Sequence, residues 1–95
     1  MTLVHLVLAG VTADERMAAV LVGLADVARE CGAQQALTGP NRAPEEFAGD
    51  VAQGMAALFA SESMLDEYLS HPRHLAFADE LGRLGATVTV VDLSA

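Results

Sequence analysis

Residues 2–9 (TLVHLVLA) form a short, almost continuous run of apolar and mostly branched side chains with a histidine, His5, in its middle. A run of this length and composition predicts a buried strand. Thr12, Ala13, Asp14 and Glu15 then make a capping-box pattern, in which the threonine hydroxyl and the glutamate carboxylate each satisfy an amide that the first helical turn leaves free. Met17, Val20, Leu21, Leu24, Val27, Ala28 and Cys31 follow at helical spacing, and Gly32 supplies a stop, which predicts about 19 residues of amphipathic helix. Residues 33–37 are a weaker strand candidate. Residues 38–44 (TGPNRAP) carry the glycine and prolines of an irregular loop, and the acidic stretch 45–50 extends it. Residues 51–59 (VAQGMAALF) are ambiguous: the alanines suit a helix, but the helix-start signal that follows at Ser61 favours a strand. A short helix from Ser61 should end at Ser70. Pro72 breaks the hydrogen-bond ladder there and fits the first turn of a second helix, which reaches about Leu84 and stops at Gly85. Residues 86–93 (ATVTVVDL) alternate in a β-branched pattern and predict a last strand.

The order strand, helix, strand, strand, broken helix, strand is that of an α+β, ferredoxin-like βαββαβ sandwich. Its helices cover one sheet face only. The first strand nevertheless presents Leu3, Val7 and Ala9 on one side and Val4, Leu6 and Leu8 on the other, so both faces call for burial. No further element remains to cover the second face, and a second copy of the chain, sheet against sheet, would do so. A homodimer through the sheet face is the expectation.

Composition narrows the chemistry. With 95 residues, 53% of them apolar, the chain is large enough for one domain and too short for two. A formal charge of -8 opposes nucleic acid and anionic membrane surfaces as partners. No apolar run approaches the roughly 20 residues of a membrane span, and no signal-peptide pattern is present, so the expected compartment is the cytosol. Cys31 is alone and lies on the apolar helical stripe, which points to a buried thiol and not a nucleophile. There is no lysine, which removes Schiff-base chemistry. Candidates for proton transfer therefore concentrate in residues 68–74 (YLSHPRH), which hold the only tyrosine, Tyr68, and two of the three histidines, His71 and His74.

The strand with HLVL, the GPN loop, the strand ending in LFAS, the YLSHPRHLAF segment and the terminal VTVVDL together resemble the stress-responsive dimeric α/β-barrel (Dabb) family over essentially the whole chain. The resemblance implies a ferredoxin-like protomer whose sheet pairs with a second to form a barrel. It also implies a chemistry, because the family includes, beside plant stress proteins, a plant cyclase that closes a linear poly-β-ketone thioester by an intramolecular aldol reaction. That cyclase's catalytic tyrosine and histidine match Tyr68 and His74, its strand histidine matches His5, and its histidine before proline matches His71. The chain departs from it at Gln53, where the cyclase has a further histidine.

Aldol closure needs a base to take a proton from between two carbonyls and a donor to stabilise the oxyanion that develops, roles suited to an imidazole and a phenol. His74 is the candidate base, Tyr68 the donor, and His5 an orienting or polarising partner. The six-residue spacing from Tyr68 to His74 does not align them on a straight helix, but the break at Pro72 can redirect the second piece. His71, Gln53, Met55, Val20 and Gly23 are the candidate substrate-binding positions, the last two leaving room on the first helix. Five have a plainer alternative: Tyr68 buries its ring and leaves its hydroxyl at the surface, His71 caps or hinges, His74 is structural, His5 is a core histidine on a backbone carbonyl or at a dimer interface, and Gly23 allows close helix-to-sheet packing. No cofactor is implied, and no ligand-spaced cysteines or acids support a metal. Three functions follow: a cofactor-independent enzyme on a polyketide-like poly-carbonyl substrate, a noncatalytic stress-responsive or ligand-binding homodimer, and, less well matched, a cofactor-free oxygenase of the wider barrel superfamily.

Overall fold

The computed structural model describes residues 2–10 and 14–95. Strands β1 (Leu3–Gly10), β2 (Gln35–Pro40), β3 (Val51–Phe59) and β4 (Thr87–Ser94) form one sheet in the order β2-β3-β1-β4, with every neighbouring pair antiparallel. Helices α1 (Glu15–Glu30), α3 (Glu62–Ser70) and α4 (Pro72–Arg83) are the long connections, and α2 (Glu45–Ala48) is a single turn between β2 and β3. This is the ferredoxin-like arrangement that the element order predicts.

The helix ends are set by local chemistry. Thr12 of the expected capping box lies outside the described residues, and the observed cap is Asp14, whose carboxylate accepts from the Met17 amide at 2.8 Å. At the other end Gly32 takes φ +94°, so that its amide reaches the Arg29 carbonyl at 3.0 Å and the Ala33 amide reaches Ala28 at 2.9 Å. Gly85, at φ +74°, closes α4 in the same way, with Gly85 bonded to Gly82 and Ala86 to Leu81. These are Schellman ends, which need a residue free to adopt the left-handed region. Between α3 and α4, His71 is extended and Pro72 opens α4 at its first turn, as the sequence predicts.

Two expectations for residues 33–50 need correction. The second strand runs to Pro40, because Thr38, Gly39 and Pro40 pair with Met55, Gly54 and Gln53. An edge strand tolerates a proline, which has no amide to donate. Residues 45–48 also do not simply extend the loop: they make the α2 turn, held by Phe47 and Ala48 amides on the Pro44 carbonyl.

On the helix-facing side of the sheet Leu3, His5, Val7 and Ala9 of β1 and Gln53, Met55, Ala57 and Phe59 of β3 are all buried. Met17, Val20, Leu21, Leu24, Val27 and Ala28 of α1 pack on them, with Leu65 and Tyr68 of α3 and Leu81 of α4. The opposite face is built from Val4, Leu6 and Leu8 and the residues registered against them, and none of its side chains is charged. Leu37 and Leu93 on that face are 63% and 51% exposed.

Gly23 meets helix, not sheet: a Cβ there would lie 2.4 Å from Cζ of Phe77 in α4. Replacing Gly23 by alanine should therefore destabilise the protein in spite of alanine's higher helix propensity, which by itself favours the change by about 1 kcal/mol. Phe77→Leu should recover much of the loss; a Gly23→Ala protein with an unchanged or higher urea midpoint would show that α4 yields freely.

Candidate active site

His5 sits mid-strand on β1, and the β1–β4 register puts Asp92 directly opposite it on the helix-facing side. The His5 Nδ1–H donates to Asp92 Oδ1 at 2.5 Å. This pairing places a proton on Nδ1, because a carboxylate only accepts, and it leaves Nε2 outside that bond. His5 is buried, whereas the Asp92 side chain remains 41% exposed. β4 is an edge strand that the helices leave largely uncovered, so Val88 and Val90, on the same face as Asp92, stay 43% and 52% exposed.

Tyr68 comes to His5 from above. It lies in the last turn of α3, is fully buried, and presents its ring edge-on to His5 with centroids 5.5 Å apart. Phe59, at the end of β3, supports the same ring at 5.6 Å. The extended residue His71 and the restart at Pro72 then turn the chain so that His74, in the first turn of α4, stacks edge-on against Tyr68 at 4.6 Å. Arg73 ties this corner to the end of α1 through Glu30 at 2.6 Å, an exposed pair that orients more than it stabilises. Tyr68 is thus flanked by the two imidazoles. His5 Nε2, the Tyr68 hydroxyl and His74 Nδ1 are all buried, and none has a hydrogen-bond partner among the described residues. Three unmet polar groups in one place are uncommon, since burying each without a partner costs about 1–3 kcal/mol.

The electrostatics separate a donor from an acceptor. Burial, reinforced by the neighbouring Cys31 thiol, pushes the Tyr68 hydroxyl above the usual tyrosine range, so it keeps its proton at neutral pH. Burial lowers the His74 imidazole below its ordinary value of 6.5; His5 and, more weakly, His71 act in the same direction, against an opposing interaction with the Leu69 backbone. His74 is therefore held neutral.

The other sequence candidates fall elsewhere. His71 caps α4, its Nδ1 accepting from the Arg73 amide at 3.1 Å. Gln53 shares the sheet face of His5 but pairs with Ala9, about 13 Å along the strand, and its amide donates to the Asp14 carbonyl at 3.5 Å. Met55, opposite Val7, lies one side-chain step from His5, Val20 is packed in the core, and Gly23 serves the α1–α4 contact. The Tyr68 hydroxyl does not reach the surface, and His5 is bonded to a carboxylate, not to a backbone carbonyl. Cys31 is only half-buried, because it caps the end of α1; burial and the charges of Glu67 and Glu30 raise its pKa and keep the thiol protonated. Asp92 was not among the candidates. Its one sequence signal is that it is the only charged residue in the terminal strand pattern.

Neither of two surface concavities opens on the cluster. One, of about 470 Å³, lies on the uncharged sheet face, lined by Leu6, Leu8, Leu37, Gly54 and the α2 turn. The other, of about 310 Å³, lies at the start of α1 beside Gln53. Among the described residues no three histidine, cysteine or acidic side chains gather as a metal ion requires. No helix among them is long and apolar enough to cross a membrane.

Comparison with solved structures gives the same architecture. A dimeric ferredoxin-like protein of unknown function from Jannaschia sp. CCS1 is similar at 26% identity and a TM-score of 0.85, covering 100% of both chains. The Arabidopsis thaliana protein At3g17210 is similar at 22% identity and 0.78, over 98% of this chain and 94% of its own. SnoaB, a cofactor-independent oxygenase from Streptomyces nogalater, shares the fold at 16% identity and 0.75, over 99% and 92%. No curated protein matches in sequence. The family model for the stress responsive A/B barrel domain matches residues 3–95, and on that match the chain belongs to the stress-responsive A/B barrel (Dabb) family.

Proposed function

We propose that the protein is a cofactor-independent acid/base enzyme that closes a polyketide-like poly-carbonyl substrate by an intramolecular aldol reaction in natural-product biosynthesis, acting as a homodimer through its uncharged sheet face. The observation that carries this reading is the convergence of His5 Nε2, the Tyr68 hydroxyl and His74 Nδ1, buried and unpartnered, from a strand and two helices. Neutral His74 takes a proton from the carbon between two carbonyls. The carbanion attacks a distal carbonyl carbon of the same molecule, a carbon–carbon bond forms, and the Tyr68 O–H stabilises the oxygen on which charge develops. The imidazolium returns its proton to that oxygen. His5, held by Asp92, presents a fixed Nε2 to the reacting polar groups. The uncovered side of β4, where Asp92 meets solvent, is the approach.

The test is to offer linear poly-β-ketone thioesters to the protein and follow cyclised product by mass spectrometry across pH. Since His74 must be neutral and its pKa lies below 6.5, kcat/KM should be flat through neutrality and fall on an acidic limb below pH 6.5. Folding stability should follow the same sign. The unfolded histidine binds its proton first as pH falls, so the contribution of this group is present at neutral pH and is lost below about 6.5. Activity that instead rises as pH drops through 6 would remove His74 as the base.

A noncatalytic homodimer that binds an apolar ligand is the second reading, favoured by the closure of the cluster: His5 and Tyr68 are 1% and 0% exposed. No product from any thioester, with saturable binding of the same compounds, would select it.

A further inference from the structure

Aldol closure uses one base and one donor, and His74 and Tyr68 supply them. His5 is then a second imidazole in the same cluster, with Nε2 buried and unpartnered among the described residues and a carboxylate behind Nδ1. Packing does not ask for it. Leu3 and Val7 flank it on the same strand face, both buried and apolar, and a polar ring between them costs free energy that a leucine would not.

The surroundings of His5 are those of a base that activates water. Asp92 accepts from the Nδ1–H at 2.5 Å, so in the neutral ring the lone pair is on Nε2. A carboxylate behind one imidazole nitrogen also stabilises the imidazolium that forms when the other takes a proton. The pair joins the cluster to solvent, since His5 is buried while the Asp92 side chain is 41% exposed. Tyr68, the donor, lies edge-on to His5 with ring centroids 5.5 Å apart. Loss of water from the aldol would not need this second base, because its proton again sits on the carbon between two carbonyls, where His74 already acts. Hydrolysis of the thioester does need one: the proton comes from water, and the carbon attacked is the thioester carbonyl.

We propose that the same site hydrolyses the thioester of its cyclised product, with His5 as the general base for water, Asp92 as its positioning residue and Tyr68 as the oxyanion donor. The inference rests on the thioester reading above and adds a second reaction to it. The water oxygen attacks the thioester carbonyl carbon while its proton passes to His5 Nε2, and the Tyr68 O–H donates to the oxyanion. The C–S bond then breaks, and the imidazolium returns its proton to the thiolate sulfur. A carboxylic acid and a thiol leave, with nothing oxidised or reduced. Val88 and Val90, exposed beside Asp92 on the same face of β4, give the acyl chain an apolar approach.

Mass spectrometry of reactions run in water enriched in the heavy oxygen isotope tests it. The cyclised product should be a free carboxylic acid that carries one solvent oxygen. A saturated acyl thioester of N-acetylcysteamine, which cannot close a ring, isolates the hydrolytic step and should be cleaved about 100-fold or more faster than in buffer. Asp92→Asn and His5→Gln should each slow that cleavage about 10²-fold or more, and at least about 10-fold more than they slow ring closure. His74→Ala should show the reverse order, and Asp92→Glu should restore part of the cleavage. A loss of structure would slow both reactions alike. Cyclised product that stays a thioester would overturn the hydrolysis and leave the cyclase standing. Cleavage by Asp92→Asn and His5→Gln at the wild-type rate would remove the pair as the base. Cleavage of the saturated thioester with no ring closed on any poly-β-ketone would keep the hydrolysis and remove the cyclase, and no reaction with either substrate would remove both.

Discussion

His74→Ala should lower kcat for thioester cyclisation by about 10²–10⁴-fold, the range that a positioned general base contributes, while the protein stays folded. His74 is only partly buried at the start of α4, so its removal leaves no large cavity. The companion variant, Tyr68→Phe, makes the sharper test because it separates catalysis from packing. The Tyr68 hydroxyl is buried with no partner among the described residues, so deleting it removes an unmet polar group and keeps the ring against His5, Phe59 and His74. Stability should be unchanged or slightly higher. Activity should nonetheless fall about 10²-fold or more, because the donor aimed at the developing oxyanion is gone. Loss of stability in Tyr68→Phe with activity retained would show that the hydroxyl has a structural partner and that the assignment of the donor is wrong. Turnover and urea denaturation on the same samples decide between these outcomes.

Phe59→Ala should destabilise the protein by about 3–5 kcal/mol, the usual range for truncating a core aromatic. Native domains of this size have about 5–15 kcal/mol in total, so a large part of the population could unfold at ordinary temperatures. The effect is large because Phe59 is fully buried at the end of β3, where its ring packs against Tyr68 of α3. The same ring supports Tyr68 at 5.6 Å, so activity should fall further than the folded fraction does. Leu75→Ala on α4, where the side chain is 56% exposed, should change stability by less than about 0.5 kcal/mol. Urea midpoints of the two variants at one protein concentration measure the contrast; near-equal values would mean that Phe59 is not part of the core.

The elements were legible where one local rule acts alone. Helix α1 was marked by its apolar spacing and by Gly32, and the break at Pro72 was marked by the ring that cannot continue a helix. Residues 38–40 were not, because their strand conformation comes from pairing with Met55, Gly54 and Gln53, and loop-like residues carry no sign of a distant partner. For residues 51–59, alanine propensity argued one way and the sheet the other, and tertiary pairing won.

The site divides along the same line. Tyr68 and His74 could be picked from the sequence because they lie close together and are the rare titratable groups of a chain without lysine. Asp92 could not, since its role arises from an antiparallel register that joins residues 87 positions apart. His71, equally conspicuous in sequence, turned out to be a helix cap, a role decided by the direction of one ring nitrogen. What the sequence alone determined, then, was the order of elements, the two apolar sheet faces and the hinge at Pro72, all of which follow from side-chain periodicity and backbone stereochemistry. Only the tertiary structure decided that His5, Tyr68, His74 and Asp92 meet and that a hollow of about 470 Å³ lies on the other face. Contacts between distant segments depend on register and packing, and these are properties of the whole fold that no local pattern encodes.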